Sequence, residues 1–306
     1  MTEHGLSEMG ARAADLGYLA GWSAVKYLPE RAARSVFAAA AEAAYRRNGS
    51  SVRRLRANLG RAVPELTSTE LEDLTRRGLQ SYGRYWCEVF RLPRWSPQEI
   101  EDRLVTHDLD RLHEYVDRGR GVVAVMAHIG NWDHLAAWSI VHGLRVTTVV
   151  ERLQPEDLFR RFLAFREGMG LEVVPNVGDD RLGDKLQARL RSGGLVALVA
   201  DRDLSSSGVE VDFLGGRAHM PPGPAILARR TGAVVMPVWS YYDERRTHLE
   251  VGVELVAPEG LSVRDSVQHV TQQFADGLGA VVRRHPEDWH MMQPVWLEDL
   301  PEGSTS

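Results

Sequence analysis

The sequence predicts an α/β fold with a mainly parallel central sheet, flanked by helices on both faces and preceded by an N-terminal helical section. Two observations predict it. Apolar residues recur at helical spacing over residues 11–91, and short β-rich runs alternate with helical stretches over residues 109–300. Such alternation is typical of parallel sheets whose crossover helices cover both faces. We predict a single domain over residues 1–306.

The N-terminal section contains four predicted helices, in which alanine and leucine recur with helical periodicity. Pro29 and Pro64 stand at two of the breaks, and Ser50 and Ser68 are the predicted helix caps. The predicted helices are Ala11–Lys26, Ala32–Arg47, Val52–Leu59 and Glu70–Phe90.

Strands and helices alternate through the rest of the chain. In a parallel sheet, binding sites lie at the carboxyl ends of the strands, so the residues after each strand are the first candidates for function. The predicted strands are Val122–Ala127, Val146–Val150, Leu171–Val174, Leu195–Ala200, Val234–Trp239 and Leu249–Val256. The predicted helices cover residues 131–142, 156–169, 181–192, 222–231 and 263–284.

Composition excludes several classes of protein. Cys87 is the only cysteine in 306 residues, so neither an intrachain disulfide nor a cysteine zinc site can form. No apolar run reaches the roughly 18 residues of a spanning helix. Glu3, Glu8 and Asp15 interrupt the N-terminal stretch, which does not resemble a signal peptide. We therefore expect a chain that stays in the cytoplasm and does not span a membrane.

Charge is unevenly distributed along the chain. The net charge is −5, yet residues 11–62 hold ten basic and three acidic residues, a local balance of +7. A basic, partly apolar segment in an acidic protein suggests contact with an anionic membrane surface. The alternative is a solvated helix face. We expect no nucleic-acid partner.

His128 is the main catalytic candidate. It ends a buried strand, Gly130 follows as a tight turn, and a helix begins near Asn131. On a continuous helix, positions five residues apart point about 140° away from each other. The side chains of His128 and Asp133 can therefore meet only if His128 precedes the helix and Asp133 lies in its first turn. A carboxylate on one imidazole nitrogen fixes the tautomer, and the other nitrogen can take a proton from a substrate hydroxyl. A structural histidine at a strand end is the equal alternative.

Charged residues follow two other predicted strands. Asp201, Arg202 and Asp203 follow Leu195–Ala200, and Glu151 follows Val150. Because the carboxyl ends of parallel strands share one edge of the sheet, we expect these residues near His128. Asp201 is then a second candidate partner for His128. The alternative is a set of salt bridges within the loops.

Several other catalytic patterns are absent from the sequence. There is no Gly-x-Ser-x-Gly elbow, no P-loop and no Gly-x-Gly-x-x-Gly after a strand. No metal-ligand spacing stands out, and the segment from His285 to His290 is not a zinc pattern. The inventory fits direct attack by a substrate hydroxyl, aided by a base, with no covalent enzyme intermediate, metal or cofactor.

The segment Ala127-His-Ile-Gly-Asn-Trp-Asp133 resembles the His-x4-Asp/Glu block of the lysophospholipid acyltransferase superfamily. The resemblance covers about residues 12–300. It is greatest to the branch of the lipid A and phosphatidylinositol mannoside acyltransferases, with the mannoside enzymes the more similar. The other matching blocks are Leu55–Leu59, Pro64-Glu65, Tyr82–Pro93, Glu151–Leu153, Ala200–Leu204, Gly208–Phe213, Met220–Ala225 and His285–Trp296.

This resemblance implies transfer of a long-chain acyl group, typically palmitoyl, from acyl-coenzyme A to a mannose hydroxyl of a phosphatidylinositol mannoside. It also implies a peripheral location at the cytoplasmic face of the plasma membrane. Another lysophospholipid or glycolipid acceptor, and an acyl-coenzyme A thioesterase, are the alternatives.

The matching positions also imply residue roles. His128 corresponds to the family's base, and Asp133 to the carboxylate of its block. Glu151 and Arg166 correspond to charged positions of the groove. Asp201 corresponds to the acidic residue that pairs with the histidine, a position that is often Glu, and we favour it over Asp133 as the direct partner.

Further substrate contacts are predicted along the same rim. Arginines such as Arg166 and Arg202 are expected to hold phosphates of the donor or the glycolipid. Backbone N–H groups near Gly130 are the predicted oxyanion donors. The remaining predicted substrate-binding residues are Asp203, Asn131 and Ser207.

Overall fold

A computed structural model describes residues 25–150, 156–176, 181–203 and 208–300. It confirms the predicted α/β class, with a seven-stranded sheet, mostly parallel, and an N-terminal helical section. The predicted helix Ala11–Lys26 lies almost wholly outside the described residues, as do Glu151 and Ser207.

Ten helices and nine strands follow one another along the described part of the chain. The helices are α1 (Glu30–Arg47), α2 (Ser50–Ala62), α3 (Ser68–Arg91), α4 (Pro97–Asp102), α5 (Asp110–Asp117), α6 (Trp132–Val141), α7 (Glu156–Gly168), α8 (Leu182–Arg191), α9 (Gly223–Thr231) and α10 (Val263–Arg284). The strands are β1 (Leu104–His107), β2 (Val122–Met126), β3 (Val146–Val150), β4 (Glu172–Pro175), β5 (Leu195–Val199), β6 (Val209–Phe213), β7 (Gly216–Met220), β8 (Val234–Tyr242) and β9 (Thr247–Val251).

Both predicted serine caps are wrong by one residue. Gly49 is the N-cap of α2, and Thr67 is the N-cap of α3. Thr67 is the N-cap because it forms a capping box with Glu70, in which the side chain of each residue accepts a hydrogen bond from the backbone N–H of the other. Ser50 and Ser68 are the first helical residues instead.

The large sheet has the strand order β1-β9-β8-β2-β5-β3-β4. Every neighbouring pair is parallel except β8 and β9. From β2 the chain crosses to β3 and β4, returns to place β5 directly beside β2, and then continues to β8 on the other side of β2. The change of direction next to β2 and β5 creates the kind of switch point at which open α/β sheets bind ligands.

Three strands of the structure were not predicted from the sequence. β1 has only four residues, and β6 and β7 form a separate antiparallel hairpin. β8 is longer than predicted and extends to Tyr242, whereas β9 ends at Val251, well before the predicted Val256. Such short or half-exposed strands lack the continuous apolar run that marks a buried parallel strand.

Helices cover both faces of the sheet. In β2, Val122, Ala124 and Met126 pack with residues of α5 and α6, whereas Val123 packs with residues of α8 and α9, and Val125 with residues of α10. Alternate strand residues point to opposite faces, so a strand covered on both sides is apolar throughout. All five residues of β2 are buried accordingly.

The N-terminal helices are part of the main core. Leu55 and Leu59 of α2 are fully buried in the same cluster as Trp289 and Trp296 near the C-terminus. Buried Asn58 also donates through Nδ2 to the carbonyl of Met291 at 2.8 Å. The first helices therefore hold in place the C-terminal segment that, as described below, borders the candidate site.

We predict that Gly130→Ala is far more destabilising than Gly119→Ala. Both glycines have left-handed backbone angles, with φ of +61° and +67°. A Cβ at Gly130 would lie 2.5 Å from Ser240, whereas nothing lies within 4 Å of a Cβ at Gly119. We expect a loss of about 1 kcal/mol for Gly119→Ala and more than about 3 kcal/mol for Gly130→Ala, measured by urea unfolding. Equal losses would contradict the close-packing explanation.

Candidate active site

The parallel register of β2 and β5 brings His128 and Asp201 together. Met126 and Val199 are register partners at the carboxyl ends of the two strands. His128 and Asp201 each follow two residues later, on adjacent strands that run in the same direction. The pairing continues past the strand ends, because the N–H of Ala200 donates to the carbonyl of Met126 at 2.8 Å.

Asp201 makes two hydrogen bonds to His128. Its Oδ1 lies 2.7 Å from Nδ1 of the imidazole, and its Oδ2 accepts from the backbone N–H of His128 at 2.9 Å. A carboxylate accepts only, so the neutral imidazole carries its proton on Nδ1 and keeps a lone pair on Nε2. The shorter aspartate therefore reaches the histidine directly, without a bridging water.

The Asp201 carboxylate is fully buried, while 39% of the His128 side chain is exposed. Burial alone would raise the pKa of Asp201, but the positive charge of protonated His128 and the hydrogen bonds outweigh it and lower the pKa. Asp201 is therefore ionised at neutral pH. An ionised carboxylate on Nδ1 makes Nε2 a better proton acceptor and stabilises the imidazolium that forms.

The hydrogen-bond partners of Asp133 are Arg166 and Tyr85, not His128. Its carboxylate accepts two hydrogen bonds from Arg166, at 2.8 Å from Nε and 3.1 Å from Nη2, and a third from the hydroxyl of Tyr85 at 2.8 Å. Burial by itself would lower the pKa of Arg166, but the charge of Asp133 outweighs it and raises the pKa. Asp133 thus ties α6 to α3 and α7 beside the site.

The predicted oxyanion donors near Gly130 are already used within the protein. The N–H of His128 donates to Asp201, and that of Ile129 to the carbonyl of Ala127. The N–H of Gly130 donates to the carbonyl of Asp288, and that of Asn131 to Oγ of Ser240. The four amides from His128 to Asn131 therefore hold the shape of the turn, and the donors to the oxyanion are not among them.

Asn131 is a fully buried cap of α6. Its Oδ1 accepts from the N–H of His134 at 3.0 Å, and its Nδ2 donates to Glu88 at 2.9 Å. It is not among the residues that line the cavity described below. The structure therefore gives Asn131 a role in fixing the turn that carries His128.

Two of the other predicted binding residues lie within the described part of the chain. Arg202 follows Asp201 and lines the cavity with His128. Asp203 is half-buried, and its carboxylate lies beside Gly208, just before the β6–β7 hairpin. Glu151 and Ser207 lie outside the described residues, so their predicted contacts stay predictions.

An apolar cavity of about 440 Å³ runs from His128 beneath α6 and α7, along one face of the sheet. This volume is within the range of small-molecule sites. Its lining includes the charged side chains of Arg166, Arg202 and Asp133 and the imidazole of His128. Its apolar wall includes Ala124 and Met126 of β2, Leu195, Ala197 and Val199 of β5, Val146 and Val150 of β3, Leu135 and Trp138 of α6, and Phe159, Phe162 and Leu163 of α7.

Sequence reasoning missed a second polar cluster beside His128. His290 lines the cavity, and its backbone N–H donates to the carbonyl of His128 at 2.8 Å. Ser81 of α3 bridges His290 and the buried Asp288. Residues 285–290 were among the family-like blocks of the sequence but had no predicted role in the site, because pairing over more than 200 residues leaves no local signal. Within the described residues, no group of side chains has the arrangement of a metal site.

We predict that Arg166→Ala costs about 3–5 kcal/mol of folding stability, because it leaves the buried carboxylate of Asp133 without its cation. The matched control is Arg161→Ala, an exposed arginine on the same helix, for which we expect less than about 0.5 kcal/mol. Urea unfolding followed by circular dichroism measures both. A stable Arg166→Ala protein with impaired substrate binding would instead assign Arg166 mainly to the substrate.

Comparison with known proteins identifies the family. The family model for bacterial lipid A biosynthesis acyltransferases matches residues 7–298. A phosphatidylinositol mannoside acyltransferase of Mycolicibacterium smegmatis is 41% identical over 303 residues, which cover 99% of this chain and 97% of that protein. One of Mycobacterium tuberculosis is 40% identical over 300 residues, covering 97% and 93% respectively.

These matches span nearly the whole chain, and they include the strand ends that carry His128 and Asp201. The site geometry agrees with them, because a buried carboxylate orients a half-exposed imidazole at the mouth of an apolar cavity. The chain therefore belongs to the bacterial lipid A biosynthesis acyltransferase family and is an acyltransferase.

Proposed function

We propose that the protein transfers a palmitoyl group from acyl-coenzyme A to a mannose hydroxyl of a phosphatidylinositol mannoside, with His128 as the general base. The observation that carries the proposal is the His128–Asp201 pair at the mouth of the apolar cavity. The acceptor is inferred from the relatives, which are named phosphatidylinositol mannoside acyltransferases.

The proposed reaction is a direct transfer. Nε2 of His128 takes the proton of the acceptor hydroxyl while that oxygen attacks the thioester carbonyl. The tetrahedral intermediate collapses with cleavage of the carbon–sulfur bond, and the imidazolium returns its proton to the leaving thiolate. Asp201 stays ionised and holds the imidazole in place. No residue is acylated, and no metal or other cofactor takes part.

The apolar cavity supports a long acyl chain as the transferred group. Each methylene buried in such a site contributes about 0.8 kcal/mol. A chain with ten buried methylenes therefore gains roughly 8 kcal/mol before the cost of ordering it. A gain of this size favours a long-chain thioester over a short one, and the cavity follows the sheet inwards from His128.

Charged groups at the cavity mouth fit the polar parts of both substrates. Arg202 lines the mouth, and we assign it to a phosphate of coenzyme A or of the glycolipid. Arg166 is tied to Asp133, so we assign it to holding the wall of the site. Asp203, Glu151 and Ser207 complete the proposed set of substrate contacts, as the family resemblance implies.

We further propose that α1 docks on the anionic cytoplasmic face of the plasma membrane. Val36 and Ala39 are exposed on this helix, and Arg31, Arg46 and Arg47 are exposed near its ends. An apolar helix face with flanking arginines suits a peripheral helix on anionic lipid. Among the described helices, none is both long and apolar enough to cross a bilayer.

The first test is acyl transfer from labelled palmitoyl-coenzyme A to purified phosphatidylinositol mannoside. We expect product with the wild type and a loss of at least about 100-fold in His128→Ala, since a general base contributes 10²–10⁴-fold. Asp201→Asn should also lose activity, because the amide oxygen can accept only one of the two hydrogen bonds that His128 donates and the amide has no negative charge to stabilise the imidazolium. Asp184→Asn, an exposed aspartate on α8, is the matched control.

Other results would redirect the assignment. Thioester cleavage with no acylated glycolipid would favour a thioesterase, and activity on a lysophospholipid or a different glycolipid would change the acceptor. Full activity in a folded His128→Ala protein would contradict the mechanism.

We predict that Ala124→Leu shifts the preference towards shorter acyl chains. Ala124 lines the cavity and lies four residues before His128, about 13 Å along the strand. The added methyl groups should slow palmitoyl transfer more than decanoyl transfer. Val123→Ile is the control, because Val123 faces the opposite side of the sheet. An unchanged chain-length profile in Ala124→Leu would place the acyl chain elsewhere.

The membrane proposal is tested with Ala39→Glu on α1 and Ala188→Glu on α8. Both alanines are exposed on helices, so the two changes are chemically matched. We expect the first to weaken sedimentation with phosphatidylglycerol vesicles several-fold and the second to have no effect. Deleting the N-terminal helices is unsuitable, because Leu55 and Leu59 belong to the core. Equal binding by both variants would remove α1 from the docking surface.

A further inference from the structure

His290 is the second histidine of the cavity. Its backbone N–H donates to the carbonyl of His128 at 2.8 Å, and Trp289 forms a β-bridge with Ile129. The two histidines are therefore held side by side by backbone hydrogen bonds. Only 7% of His290 is exposed, yet it lines the same cavity as the catalytic base.

Ser81 and Asp288 determine which nitrogen of His290 carries the proton. Oγ of Ser81 lies 2.6 Å from Oδ1 of Asp288 and 3.0 Å from Nε2 of His290. Oδ2 of Asp288 accepts from the backbone N–H of Tyr242 at 2.8 Å. With Asp288 ionised, the Ser81 hydroxyl donates to it and its oxygen accepts from Nε2–H. His290 then has an unprotonated Nδ1.

That Nδ1 atom is buried and has no hydrogen-bond partner within the described protein. A buried acceptor left unsatisfied typically costs 1–3 kcal/mol. Burial, together with the charge of His128, lowers the pKa of His290 to about 3. Burial raises the pKa of Asp288 to about 6, so this carboxyl is still mostly ionised at pH 7. His290 is therefore neutral, a hydrogen-bond acceptor rather than a base.

We propose that Nδ1 of His290 accepts a hydrogen bond from a second, non-reacting hydroxyl of the acceptor sugar, and so orients the sugar towards His128. Ser81 and Asp288 act as positioning residues that fix the required tautomer. This inference rests on the proposed function. The ligand group must be a donor, which the thioester carbonyl is not. A sugar that presents one hydroxyl to His128 has other hydroxyls close by. Aromatic rings surround the imidazole of His290, and the distances between ring centroids are 5.4 Å to Tyr82, 5.8 Å to Tyr85 and 6.4 Å to Trp132.

Two amide substitutions separate a substrate contact from a purely structural role. His290→Asn keeps a polar group near the position of Nδ1, whereas His290→Gln extends to the position of Nε2 and keeps the Ser81 contact. We expect KM for phosphatidylinositol mannoside to rise about 10-fold or more in His290→Gln and less than about 3-fold in His290→Asn. KM for palmitoyl-coenzyme A and the rate of thioester hydrolysis by water should be unchanged in both.

Monodeoxy phosphatidylinositol mannosides identify the hydroxyl. The wild type should discriminate against one analogue that still carries the reacting hydroxyl, and His290→Gln should treat that analogue and the parent glycolipid alike. Ser81→Ala, which frees the tautomer, should show a smaller rise in KM for the glycolipid. Thermal unfolding establishes that each variant is folded.

Several outcomes would overturn the inference. Equal KM values for His290→Asn and His290→Gln would leave only the structural contact to Ser81. A raised KM for palmitoyl-coenzyme A alone would mean that Nδ1 binds an amide N–H of the donor instead. A wild type that acylates no mannoside would overturn the proposed function itself, whereas an active wild type with unaffected variants would overturn only the role of His290.

Discussion

The hydrogen bonds between His128 and Asp201 are the interaction on which the rest of the site depends. They exist because β2 and β5 are parallel neighbours whose last paired residues, Met126 and Val199, precede the two side chains by the same number of residues. The sheet register thereby sets the distance between base and carboxylate. Both strands are covered by helices, so the carboxylate is buried and its charge is stabilised mainly by the histidine it orients.

A second requirement is a rigid turn between β2 and α6. Four consecutive amides, from His128 to Asn131, donate to groups within the protein, and Gly130 packs against Ser240 with no room for a side chain. Asp133 and Asn131 continue this network to α3 and α7 through buried charged partners. Such buried polar groups contribute little net stability, but each is costly to leave unpaired, so the network specifies one arrangement of the turn.

Much of the fold was predictable because its signals are local. The apolar runs of β2, β3 and β5 and the periodicity of α10 identified their elements almost to the residue, since both patterns arise from burial on a regular backbone. The β6–β7 hairpin and β1 were missed because short strands carry little pattern. The roles of Tyr85, Ser81 and His290 were invisible for another reason, since their partners lie 48 to 209 residues away in the chain.

The sequence by itself determined the α/β class, the placement of His128 and Asp201 at strand ends, and the family resemblance. The family resemblance favoured Asp201 as the partner of His128, but residue spacing alone could not decide, because His-x4-Asp spacing permits contact with Asp133 without requiring it. Tertiary structure decided this. Arg166 and Tyr85 donate hydrogen bonds to Asp133, while the strand next to β2 places Asp201 within hydrogen-bond distance of His128. The physical reason is that backbone periodicity is written in local residue patterns, whereas the partners of buried charges are chosen by strand order and packing between distant segments.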